Sequence, residues 1–180
     1  MKLKKLLLVL TLVLPGLVQA APILSGTQLI GATDVNVNGT LFDVSFEEGS
    51  CISLHTGCDE QSDFVLTSAN AVDAMEALLA QVFVGVHASA NAFCGLQSCV
   101  IGSAFALAGS NNVDAAVLFL SGTSSFVTTT GGATPRTFDT TGTTTDIYAV
   151  WSLADVPEPS TIALFLLGVI GLTAARRRLA

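Results

Sequence analysis

The clearest alternation of apolar and polar positions runs over residues 35–46, Val-Asn-Val-Asn-Gly-Thr-Leu-Phe-Asp-Val-Ser-Phe. It is interrupted by Asn38-Gly39, a dipeptide that accepts the positive φ needed at both central positions of a type I′ turn. The pattern predicts a β-hairpin whose returning strand puts Phe42, Val44 and Phe46 on one face. The period then changes. Over 69–82, Ala71, Ala74, Met75, Ala77, Leu78 and Leu79 fall at helical spacing behind Asn70, a capping residue, with Asp73 three positions on. One Ala-rich helix is expected there, its apolar stripe serving as core. Residues 99–107 and 115–120 are short apolar runs bounded by Gly, Ser and Asn, and 146–153 carries Tyr148, Val150 and Trp151, so all three predict strands. Residues 124–145 are rich in Thr and Gly and read as a solvated edge strand and loop, with O-glycosylation as a second use of the hydroxyls. The triplets Thr128 to Thr130 and Thr143 to Thr145 place neighbouring side chains on opposite faces, which is unsuited to a regular water-templating array. The fold class these elements define is α+β, a small and mainly antiparallel sheet with one packed helix, in a single domain over residues 21–155.

Both ends of the chain differ from this middle. Lys2, Lys4 and Lys5 precede an apolar run from Leu6 to Leu14, followed by Pro15-Gly16 and by Val18-Gln19-Ala20 with small residues at −3 and −1. This is the pattern of a secretory signal peptide over 1–20, cut by signal peptidase after Ala20, and its apolar run is well below the roughly 20 residues that span a bilayer. At the other end, residues 156–180 hold Pro157, Glu158 and Pro159, then an uncharged apolar stretch that predicts a transmembrane helix at about 160–175, then Arg176, Arg177 and Arg178. Two prolines keep the first segment extended and accessible to an enzyme. The arginines orient the helix by the positive-inside rule and leave the middle of the chain outside the cytoplasm.

In the order of these three devices the tail resembles the PEP-CTERM sorting signal of Gram-negative bacteria, a tail also labelled as the ice-binding protein C-terminal domain. The resemblance implies an exosortase as processing partner, cleavage near Pro157 to Pro159, transient anchoring in the membrane, and delivery to the cell surface or exterior. It also implies a producer of exopolysaccharide and biofilm, with exopolysaccharide as a candidate partner of the domain.

Charge narrows the function further. Only 12% of the residues are charged and 51% are hydrophobic. Residues 21–155 hold 13 acids and a single cation, Arg136, for a net charge of −12. A span of that sign repels phosphate, which excludes nucleic acid as a partner, polybasic docking to lipid, and lysine chemistry.

Export permits disulfides among Cys51, Cys58, Cys94 and Cys99. Four cysteines allow three pairings, of which the two local ones are favoured, and a tetrathiolate zinc site is the minor alternative. Of the two histidines, His55 lies in the first cysteine loop and is expected to be exposed, while His87 follows an apolar run and is expected at a strand end. Neither belongs to a nucleophile elbow or a phosphate loop, so no catalytic residue, cofactor or metal site is assigned. Glu47 and Glu48 on one side of the first cysteine loop, with Asp59, Glu60 and Asp63 on the other, leave binding of a hard cation conceivable. The expected function is a structural or adhesive one in the exopolysaccharide layer. A small secreted hydrolase acting on matrix polysaccharide and a permanently anchored binding protein are the alternatives.

Overall fold

The computed structural model describes residues 19–89, 93–95, 98–122 and 125–155. The expected leader up to residue 18, the Pro157 to Pro159 motif, the membrane helix and Arg176 to Arg178 lie outside the described residues.

The hairpin forms where Asn-Gly places it, between β2 (Gln28–Val37) and β3 (Thr40–Glu47), with Asn38 at φ 53° and Gly39 at φ 91°. A strand the alternation does not predict, β1 (Ala21–Ser25), adds to the outer side of β2. β2 is irregular because its buried residues, Leu29, Gly31, Ala32, Val35 and Val37, do not alternate strictly. A register shift between Ala32 and Val35 brings both to the core face, with Asp34 at φ 57° and its N–H donated to Asp43 Oδ1 at 3.0 Å. Gly31 is required on the same strand, since a Cβ there would overlap the carbonyl of Val44.

After β3 the chain makes a single helical turn, α1 (Cys51–Leu54), opened by a reciprocal cap between Ser50 and Ser53. The main helix α2 (Ala71–Gln81) follows and buries Ala71, Ala74, Met75 and Leu78. Asn70 stands at its N-cap but does not cap it with its side chain. Its carboxamide oxygen instead accepts from the N–H of Thr67 at 2.7 Å, closing the preceding turn. The remaining strands are β4 (Ser98–Ala108), β5 (Asn112–Ser121), β6 (Phe126–Thr129), β7 (Thr134–Pro135) and β8 (Asp146–Leu153).

The sheet order is β1-β2-β3-β8-β4-β5-β6, with β7 also on β5. The result is mostly sheet with one substantial helix. The sheet is mixed rather than purely antiparallel, because β8 runs parallel to β4 while antiparallel to β3. The last strand therefore joins two hairpin systems that the sequence separates. α2 touches β2 as well as β4, β5 and β6, so the sheet curls around it. Between them lies the main core, in which Phe42 meets Trp151 edge-on at 6.0 Å and Phe46, Phe83 and Phe93 form a triangle of rings 5.0 to 5.7 Å apart. Gln81, at the end of α2, accepts from Asn36 N–H at 3.0 Å and donates to Asn36 O at 2.8 Å. Its amide thus stands in for a neighbouring strand along the part of β2 that β1 does not reach.

Candidate functional site

The structure joins Cys51 to Cys58 and Cys94 to Cys99. Cys51 and Cys58 are fully buried and form a second, smaller core with Phe64, Ala104 and Val113 on the sheet face opposite α2. The loop they close is tight, with Thr56, Gly57 and Cys58 all at positive φ.

His55 is not exposed, as its place in this loop suggests, but 92% buried, with 8% of its surface accessible. The tight loop turns its ring inward against Phe64, centroids 5.5 Å apart. The backbone of Asp63 accepts from the ring, and Nε2 is buried without a partner. Burial holds the imidazole pKa below its usual value, and the nearby Asp63 and Glu47 charges only partly oppose that. The Asp63 carboxyl is itself held below the carboxylate range by the N–H groups of Glu60 and Asp59. The unfolded histidine titrates near pH 6.5 and the folded one lower, so in that window the unfolded chain binds more protons. The contribution of His55 to stability is complete above about pH 6.5 and declines as the pH falls below it. We expect the thermal midpoint to fall between about pH 7 and pH 5 in the parent chain and to change less in His55→Asn, which keeps a donor for the Asp63 carbonyl. Equal slopes in the two proteins would contradict this.

His87 is likewise not at a strand end. It closes a 3-10 turn, Gly85–His87, because Gly85 at φ 58° breaks the extended run that the valines begin. The two histidines are not brought together. Among the described residues no three His, Cys, Asp or Glu side chains converge as a metal site, so the acidic groups flanking the first cysteine loop do not form one.

Sequence reasoning assigned no role to Arg136, the lone cation of the domain. Its guanidinium donates to the carbonyls of Ser110 at 3.0 Å and Gly57 at 2.8 Å, and its own N–H bonds Asn111 O at 2.9 Å. Thr140 exchanges bonds with Gly49 through both its backbone and its hydroxyl. These bonds hold residues 130–145 as a strap across the second face of the sheet. An apolar hollow of about 290 Å³ lies beneath it, lined by Gly102, Val117, Phe119, Phe138 and Tyr148 among others. Tyr148 donates to Phe138 O at 3.3 Å, and burial together with the Asp139 and Asp146 charges pushes its pKa up to about 12.

On the other side of the strap a cleft of about 230 Å³ is lined by Gln28, Ile30, Glu48, Phe93, Thr143 to Thr145 and Asp146. Glu48 accepts from Gly142 N–H at 3.2 Å and Asp146 from the Thr145 hydroxyl at 2.6 Å. Each carboxylate has about four acceptor positions, so both retain capacity for further donors. Hydroxyls, an amide and carboxylates beside apolar side chains suit a neutral polyhydroxylated ligand, and the two negative charges oppose an anionic one.

Of the expected processing residues only Ala20 falls among the described ones. Ala20 is buried, 6% exposed, and the next residue, Ala21, opens β1. Among the described residues no helix is long and apolar enough to cross a membrane. At the other end, the family model described as the PEP-CTERM protein-sorting motif matches residues 155–178, beginning two residues after β8 ends. The chain thus carries a PEP-CTERM sorting signal at residues 155–178, and that motif marks a product sorted by exosortase to the surface or exterior of Gram-negative bacteria. No curated protein and no solved structure matches the chain.

Proposed function

We propose that residues 21–155 form a non-enzymatic structural or adhesive domain of the exopolysaccharide layer, released to it by exosortase and holding neutral glycan through the Glu48–Asp146 cleft. The observation that carries this reading is the sorting motif immediately after the central strand. The cleft supports it by its chemistry, and the net charge of −12 favours an uncharged glycan over an acidic one.

The test is intact mass and fractionation of the protein from cells with and without exosortase. A carboxyl terminus near Pro157 to Pro159 only where the enzyme is present, with the product in the matrix fraction, is the expected result. A Glu48→Gln/Asp146→Asn variant should be processed normally but retained less well by the matrix. A chain running to Ala180 in both strains would overturn the sorting step, and full retention of the variant would overturn the role of the cleft.

A further inference from the structure

The two ends of the sheet are protected very differently. β1 carries Pro22 and a register irregularity between Ile23 and Leu24, both devices that discourage another strand from pairing with an edge. β6, at the opposite end, is Phe-Val-Thr-Thr, with no proline, charge or bulge. Its inner side pairs with Ala116–Phe119 of β5, and among the described residues nothing pairs with its outer side. Thr130 N–H donates to Ala115 O, and Ala115 N–H returns to the Thr130 hydroxyl. Antiparallel alternation from that pair turns Thr128 and Phe126 inward, so the backbone N–H and C=O of Val127 and Thr129 point away from the sheet.

Side chains and charge agree with the backbone. Phe126 is 54% exposed and stacks on Phe119, centroids 4.8 Å apart and planes 20° from parallel. A domain of net charge −12 resists meeting its own copies, yet no charged residue occurs between Asp114 and Arg136. The β6 segment therefore brings no carboxylate of its own to a contact between two copies.

We propose that the outer edge of β6 pairs antiparallel with β6 of a second copy of this chain about a two-fold axis, making one continuous sheet and bringing the two Phe119–Phe126 stacks together. A two-fold contact uses the same patch on both partners and closes at two, so the product is a dimer and not a fibre. Four-residue edges bury a small area, which puts the affinity at the weak end, suited to a crowded matrix. The inference is independent of the glycan reading.

Sedimentation velocity of the chain as secreted, from about 1 µM to about 1 mM, should show a monomer–dimer equilibrium. Phe126→Lys and Thr129→Pro, the latter removing only an outward-pointing N–H, should each weaken it about tenfold or more while leaving the melting temperature near that of the parent. In the parent chain, hydrogen exchange of the Val127 and Thr129 amides should slow as concentration rises. A monomer throughout, a dimer equally strong in both variants, species growing beyond two, or exchange at these amides that ignores concentration would each overturn the proposal.

Discussion

Replacing Arg136 by methionine should lower the stability of the domain by about 3 kcal/mol, a fall of about 10 °C in melting temperature for a chain of this size. The side chain is half-buried and spends its charge on two carbonyls, Ser110 O in the β4–β5 turn and Gly57 O in the disulfide loop. Hydrogen bonds from a charged donor are worth about 1.5 to 3 kcal/mol each, and removing the donor leaves the partly buried Gly57 carbonyl to find water in a crowded site while the exposed Ser110 carbonyl is readily solvated. Arg136→Lys separates geometry from charge: the net charge is unchanged, but a single ammonium cannot span both carbonyls, so about half of the loss should remain. Chemical denaturation of the three proteins measures both differences. A loss below about 1 kcal/mol in the methionine variant would mean that the strap is held by its other bonds, such as those of Thr140 to Gly49, without help from the guanidinium.

The second large effect is expected at Cys51 and Cys58. Their replacement by serine removes a loop-closure constraint of about 2.5 kcal/mol and leaves two hydroxyls in an apolar site beside Phe64, Ala104 and Val113. Relaxation of Thr56 and Cys58 from positive φ returns part of this, for a net loss of about 4 kcal/mol. The Cys94–Cys99 bridge closes a loop of similar length, with a chain-entropy contribution of about 2 kcal/mol. It lies at the rim of the cleft with Cys94 only half-buried, so the same replacement there should cost less. Because Gly57 sits inside the first loop, Arg136→Met should cost less in the Cys51/Cys58 variant than in the parent, a coupling of at least about 0.5 kcal/mol. Equal losses at the two bridges, or additive effects with Arg136, would show that the buried loop is not rigidified by its disulfide.

The parts of this fold that were legible in the sequence are those decided by near neighbours. Asn38-Gly39 specifies its own turn, the spacing of Ala71, Ala74, Met75 and Leu78 specifies a helix, and the β-rich run ending at Leu153 specifies a strand. Partnership across the chain leaves no such local mark. Nothing in the composition of β8 places it between β3 and β4, and Thr-Pro-Arg-Thr reads as loop although its arginine fastens three segments. His55 was misread because a histidine in a short polar loop is ordinarily solvated. Here, two positive-φ residues and a glycine fold the loop back on itself and direct the ring inward. The sorting motif was legible because an enzyme reads it as an extended sequence, without help from the fold. The Glu48–Asp146 cleft was not legible, because the two carboxylates are 98 positions apart and meet only when the strap is laid down.

The position of β8 has a mechanical meaning. A protein held by its carboxyl end takes any load at Leu153, the last residue of a central strand. Tension along that strand shears its ladders with β3 and β4 together, so the bonds share the force and must fail collectively. An edge strand pulled from its end would open one bond at a time. Forced unfolding is governed by the height of the unfolding barrier and not by equilibrium stability. In any state in which the chain is tethered through its carboxyl end, this arrangement should keep the domain folded under drag that would peel apart a sheet fastened by its border.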